Sequence, residues 1–117
     1  MNESAESAFI ALTDRVLNLI GETLDASDAD LDWRVIDGIL EIDCSEGDGT
    51  GGKIILNRHV PNRELWLATR SGGFHYRNTS GAWLNTRGGD DLREELARAL
   101  EAQGGVAIDL PVLPAEG

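Results

Sequence analysis

Only one cysteine, Cys44, occurs in the 117 residues, so no internal disulfide can form, and a reducing, cytoplasmic compartment is the expectation. Nowhere does an apolar run approach the ~20 residues that span a bilayer. The opening Met-Asn-Glu-Ser-Ala-Glu is acidic where a secretory signal or mitochondrial presequence is basic, which again favours a cytoplasmic protein. Basic residues are scarce: ten Lys or Arg stand against 21 Asp or Glu, a net charge of −11. That deficit argues against nucleic acid and anionic membranes, whose phosphates demand a basic footprint. Cations and basic protein surfaces remain as partners. The length fits one domain, with a core spanning about residues 4–103 and a tail over 104–117. Such a chain buries roughly two-thirds of its unfolded surface and needs no structural metal.

The charge is unevenly spread. Residues 1–50 hold thirteen acids against Arg15 and Arg34, whereas residues 51–117 hold eight acids and eight bases. Residues 51–89 are locally basic, with Glu64 alone against Lys53, Arg58, Arg63, Arg70, Arg77 and Arg87. The molecule is electrically two-sided, which bears on partners and ions and not on the fold.

Phe9, Leu12, Val16, Leu19, Ile20 and Leu24 recur at helical spacing and predict an amphipathic helix over about 4–24. The period then falls to two. Leu31, Trp33 and Val35 alternate with polar residues, as do Leu40, Ile42 and Cys44, and Asp37-Gly38 between them is a type I′ hairpin signal because both turn positions need positive φ. Pairing across that turn sets Ile36 opposite Ile39, Trp33 opposite Ile42 and Asp32 opposite Asp43. Further strands are predicted at Lys53–Asn57, Leu65–Thr69, Phe74–Arg77 and around Trp83–Leu84. Asp91 and Glu94 stand at capping-box spacing ahead of Leu92, Leu96, Ala99 and Leu100, and Gly104-Gly105 stops this second helix. The alternating tail Val106, Ile108, Leu110 could lie against the body, and Pro111 and Pro114 predict a loose end. The fold class expected is an α+β two-layer sandwich: N- and C-terminal helices on one face of an antiparallel sheet of five to six strands, the other face in water.

Asp14, Asn18 and Glu22 fall at i, i+4 and i+8 on the solvent side of the first helix, and Asp25, Asp28, Asp30 and Asp32 continue from its end. Like charges at Asp32 and Asp43 should destabilise their pair, an incentive to hold a cation. An all-oxygen, exposed set suits hard cations such as Ca²⁺, Mn²⁺ or iron, bound weakly. A solubilising role alone is the plainer reading of the same acids. Asp28-Ala-Asp-Leu-Asp lacks the Gly and terminal Glu of an EF-hand loop.

The stretch Asn57-Arg-His-Val-Pro61, then Leu65-Trp66-Leu-Ala-Thr, then Gly72-Gly-Phe-His-Tyr76, resembles the frataxin family. The acidic first helix, acidic first strand, later Trp strand and final helix extend that resemblance over about residues 6–103. It implies an iron–sulfur cluster assembly protein that binds Fe²⁺ or Fe³⁺ weakly on an acidic ridge and regulates a cysteine desulfurase and its scaffold protein. Carried onto this chain, the ridge comprises Glu22, Asp25, Asp28, Asp30 and Asp32, with Asp14 and Asp43 nearby. The scaffold surface comprises Asn57, Pro61 and Trp66. The resemblance also allows iron donation and metal-dependent oligomers of an otherwise monomeric protein. The chain departs from it at His59, where Gln is common, at Arg77, and in a longer loop over 46–52.

Trp66 has two readings, a core aromatic or an exposed anchor, and the resemblance favours the anchor. Trp33 and Trp83 read as packing residues, Cys44 as a buried and inert thiol, and Gly47, Gly49, Gly51 and Gly52 as a flexible turn. No nucleophile, base and acid can be assembled, so a non-enzymatic role is expected. A ferroxidase at clustered carboxylates is the alternative, although the Glu-x-x-His pairs of di-iron sites are missing. An acidic interaction module with incidental metal binding is another.

Overall fold

The first helix has a broad apolar stripe that needs a sheet to cover it, and the structure supplies one. The structure, a computed structural model, describes residues 2–116. Helix α1 (Asn2–Ala26) is followed by β1 (Asp32–Ile36), β2 (Ile39–Asp43), β3 (Lys53–His59), β4 (Glu64–Thr69), β5 (Gly72–Thr79), β6 (Ala82–Asn85) and helix α2 (Leu92–Gly104). The six strands form one antiparallel meander in sequential order, and both helices pack on its inner face. The upper of the two expected strand counts is the one found.

The β1–β2 hairpin has the register expected from its turn, Ile36 facing Ile39 through to Asp32 facing Asp43. Asp37 (φ 52°) and Gly38 (φ 77°) both occupy the left-handed region that a type I′ turn requires. Inward alternation then delivers Leu40, Ile42, Ile54, Leu56, Leu65, Leu67, Tyr76 and Trp83 to a core closed by Val16, Leu17, Ile20, Leu96 and Leu100 from the helices. Gly21, an unfavourable residue in mid-helix, has a packing reason. A Cβ there would lie 2.5 Å from the Trp33 ring, so the indole lies directly on the helix backbone. Cys44 is fully buried as expected, and burial, then the neighbouring Asp43 charge, pushes its thiol pKa up.

Two segments differ from the sequence reading. The glycine-rich loop after β2 is docked, not a flexible turn. Asp48, Thr50 and Gly51 donate their backbone N–H groups to the carbonyls of Gly104 (3.2 Å), Ala102 (3.0 Å) and Gln103 (2.9 Å). Gly105, in the left-handed conformation at φ 71°, donates to the Glu101 carbonyl. The last four carbonyls of α2, orphans in any isolated helix, are thereby all satisfied. Gln103 completes the joint: its amide NH₂ donates to the carbonyls of Gly51 (3.0 Å) and Lys53 (3.3 Å), and its oxygen accepts from Arg70 N–H (2.9 Å). The periodicity of the loop gave no hint of this, because the partners lie some fifty residues away and are backbone atoms.

The tail is also docked. Ile108, Leu110 and Leu113 are buried in the core cluster. Arg93 donates to the Leu110 carbonyl (2.6 Å), the Trp83 indole N–H to the Pro114 carbonyl (2.8 Å), and Gly81 N–H to the Glu116 carbonyl (3.2 Å). Pro111 and Pro114 therefore mark a strap with no internal ladder to make, not a loose end. Ile108 touches down between the end of α1 (Thr23, Ala26) and the first turns of α2 (Glu94, Ala97).

Candidate functional site

Two surfaces carry the residues singled out from the sequence. The first runs from the C-terminal half of α1 into β1. Glu22, Asp25, Asp28, Asp30 and Asp32 are all exposed along it. Asp25 accepts the Trp33 indole N–H (2.9 Å), which ties the end of α1 to β1. Asp32 faces Asp43 across the hairpin. The chain itself offsets part of that repulsion: Asp43 accepts the Ser45 N–H (2.9 Å) and is paired in register with Lys53. The Ser45 hydrogen bonds, with a smaller contribution from the Lys53 charge, hold the Asp43 carboxyl below its ordinary pKa. Beside it, Glu41 bridges Arg34 (3.2 Å) and Lys53 (3.3 Å), and these groups with Trp33 line a shallow depression of about 310 Å³.

Asp14 stands apart. Its carboxylate pairs with Arg58 at 2.7 Å, and Arg58 also reaches the Ile10 carbonyl (3.4 Å). The same guanidinium lies where a Cβ on Gly38 would fall, 2.7 Å away, while Arg58 N–H bonds the Gly38 carbonyl. Arg58 thus fastens α1 to the hairpin turn, and Asp14 is engaged in that joint. Among the described residues, no three His, Cys, Asp or Glu side chains converge in a metal-holding geometry. The ridge is a line of separate hard oxygen donors, which suits a labile cation more than a tightly held one.

The second surface is the outer face of the sheet. Asn57 lies opposite Trp66 in the β3–β4 pair, and Pro61 is exposed in the turn that joins them, closed by Arg63 N–H to the Val60 carbonyl (3.1 Å). Trp66 is half-buried on this face. His59 stacks on one side of it (centroids 3.8 Å apart, planes 10° from parallel) and His75 on the other (4.3 Å, 7°). Ile36 and Ile39, 55% and 40% exposed, extend the apolar strip toward the hairpin.

Glu64, noted in the sequence only as a lone acid, anchors this face. It is 4% exposed, accepts the Trp66 indole N–H (2.8 Å) and Arg77 (2.6 Å), and has His75 Nδ1 3.8 Å away. Burial alone would raise its pKa. The hydrogen bonds from Trp66 and Arg77, then the charges of Arg77 and His75, outweigh that and leave it below the ordinary glutamate range. Period-two alternation places His59, Glu64, Trp66, His75 and Arg77 on one face, but the register across the β3–β4 loop was needed to bring them together.

A depressed carboxylate contributes stability that is present above its unfolded pKa, about 4.3, and is lost as pH falls through the folded value. Glu64→Gln is therefore expected to cost about 1–2 kcal/mol near pH 7, the exposed Arg77 end of the pair limiting the loss. That deficit should shrink below about pH 4 as the wild-type carboxylate protonates. Urea titrations of both proteins across pH 3–7 measure it, and a pH-independent gap would refute the assignment.

A family model described as a frataxin-like domain matches residues 2–106. The chain is 39% identical over 108 residues to the iron–sulfur cluster assembly protein CyaY of Neisseria meningitidis serogroup B, covering 92% of this chain and 97% of that one. The frataxin of Psychromonas ingrahamii superposes with a TM-score of 0.79 at 31% identity, over 91% of this chain and 97% of that one. The trimeric frataxin of the yeast Saccharomyces cerevisiae, complexed with ferrous ion, shares the fold at a TM-score of 0.59 and 24% identity, over 75% and 77% of the two chains. A family model over residues 2–106, a curated relative 39% identical over most of the chain and the shared six-strand sheet under two helices lead to one conclusion: this chain belongs to the frataxin family, in its bacterial CyaY branch.

Proposed function

We propose that the protein serves iron–sulfur cluster assembly in the cytoplasm as a non-enzymatic regulator. On this reading it carries Fe²⁺ or Fe³⁺ weakly on the ridge Glu22–Asp32 and docks on a cysteine desulfurase and its scaffold protein. The observation that carries this reading is the unbroken run of exposed carboxylates at Glu22, Asp25, Asp28, Asp30 and Asp32 in a chain of this family. Separate carboxylates on an open surface exchange ions readily, as a donor or sensor needs, and their field attracts the basic edge of a partner protein. Iron here is cargo. Asp43 lies close enough to join the ridge through Asp32, and Asp14, half exposed, lies near it while paired with Arg58. Asn57, Pro61 and Trp66 form the separate contact for the scaffold.

Anaerobic amide NMR titration with Fe²⁺, followed by titration with the purified desulfurase, tests the reading. Both ligands should shift resonances from Glu22 to Asp32 and at Asp43, and each should displace the other. The double reversal Asp30→Lys, Asp32→Lys should weaken both by tenfold or so at low ionic strength and leave the fold intact. Desulfurase affinity unchanged in that variant would remove the shared surface. Aerobic Fe²⁺ oxidation that fell to the buffer rate on neutralising the ridge would favour the ferroxidase alternative instead.

A further inference from the structure

Trp66 sits in a slot. His59 from β3 covers one face of its indole and His75 from β5 the other, each ring within 10° of parallel to it. A slot of this kind fixes the plane of the indole but not its sense, because the ring lies equally flat with its N–H turned into the sheet or out to water. Glu64 decides between the two: one oxygen of its buried carboxylate accepts the indole N–H at 2.8 Å. The geometry points to Glu64 as the positioning residue of the outer sheet face, turning the Trp66 N–H inward so that the indole meets a partner as an apolar ring edge and not as a hydrogen-bond donor. The proposal rests on the reading of that face as the scaffold contact.

The arrangement follows from the strand register. Glu64 and Trp66 are two residues apart on β4, so their side chains stand next to each other on one face. Across the sheet, Glu64 lies between His59 and Arg77, and Trp66 between Asn57 and His75. His59 thus reaches the indole diagonally, from the place opposite Glu64. The second carboxylate oxygen of Glu64 takes Arg77 at 2.6 Å, which balances the charge of a group only 4% exposed. Arg77 is itself 59% exposed and has water as an alternative partner. The indole N–H, once turned inward, has no such alternative, and without an acceptor it becomes an unsatisfied donor that drives the ring to its outward sense. With the N–H engaged and both faces covered, the ring offers its C–H edge. That edge continues the row Ile36, Ile39, Asn57 and Trp66, which the pairings of β1 to β4 set side by side. A ring held in one sense before contact also has less rotamer freedom to lose on docking.

Changes at Glu64 and Trp66 test the assignment, read as affinity for the purified scaffold protein and as the Trp66 indole N–H resonance of the free protein. Glu64→Gln keeps an acceptor oxygen for the indole while Arg77 turns to water. It should bind within about twofold of the wild type, although it is the less stable protein near pH 7. Glu64→Leu has no acceptor; it should lose about threefold to tenfold in affinity, and its Trp66 N–H should shift and exchange faster with solvent. A double-mutant cycle separates positioning from general loosening. In a Trp66→Phe background, where no N–H remains to be held, Glu64→Leu should leave the affinity almost unchanged. Equal losses in both backgrounds overturn the proposal, as does a Glu64→Gln protein that binds no better than Glu64→Leu. So does an affinity that Trp66→Ala weakens and Glu64→Leu does not, or a Trp66 resonance that Glu64→Leu leaves in place. Scaffold affinity indifferent to Trp66→Ala overturns the docking reading beneath it, and the inward sense of the indole then stands or falls by the resonance alone.

Discussion

Leu110→Ala and Leu113→Ala should each destabilise the protein by about 2–4 kcal/mol and lower its Tm by roughly 8–15 °C. Both leucines belong to the buried core although they lie beyond the last helix, at 4% and 5% exposure. Truncating them leaves voids under a strap whose ordering entropy is still lost on folding. The strap is held at three further points, Arg93 to Leu110, Trp83 to Pro114 and Gly81 to Glu116, so it cannot readily sink to fill the space. A chain ending at Gly105 recovers the entropy of the strap but uncovers Trp83 and the groove between α1 and α2, and should be no more stable than either substitution. Thermal melts of the three variants beside the wild type decide the matter. Shifts of about 2 °C or less would mean that the strap only rests on the surface.

Gly49→Ala is expected to cost about 2–4 kcal/mol for a different reason. A Cβ at this position would sit 2.5 Å from the Ala102 carbonyl oxygen and 2.6 Å from the Gln103 carbonyl, both backbone atoms of α2 that cannot swing aside. The loop must lift, and the N–H bonds from Asp48, Thr50 and Gly51 to the end of α2 go with it. Gln103→Leu, nearly isosteric, should cost a similar amount by leaving the Arg70 N–H without its acceptor and removing the Gln103 donor from the carbonyls of Lys53 and Gly51, the latter keeping only Arg70 Nε (3.1 Å). Gly73→Ala is the control: nothing lies within 4 Å of its Cβ, so a change within about 0.5 kcal/mol is expected. Urea denaturation of the set provides the test, and Gly49→Ala unfolding alongside Gly73→Ala would show that the loop does not hold the helix.

The parts that were legible in the sequence are those governed by near neighbours. The Asp37-Gly38 turn dictated the β1–β2 register residue by residue, since a two-residue loop leaves one way to pair the strands. Helical spacing from Phe9 to Leu24 located α1, and Asp91 with Gly105 bracketed α2, where Asp91 accepts the Arg93 N–H as its cap. Interactions between distant segments were illegible. Nothing local in Gly47–Gly52 reveals that its amides complete a helix fifty residues on, and nothing in Pro111–Pro114 reveals the indole that binds it. The surface acids divide in the same way. Their run along α1 and β1 could be read directly, but the pairing of Asp14 with Arg58 could not, because those residues are 44 positions apart. Glu64 was overlooked because a single acid in a basic stretch reads as solvated until the indole and guanidinium that bury it are in view.

The joint at Gln103 bears on the order of events during folding. Closing it links residues separated by about fifty positions, so the chain entropy of a long loop must be lost before any of its hydrogen bonds can form. The β1–β2 hairpin and the body of α1 face no such delay. The end of α2 is therefore expected to complete late, on a sheet already assembled. Changes at this joint then fall chiefly on the rate of unfolding and hardly on the rate of folding, which makes one buried amide a determinant of the lifetime of the native state.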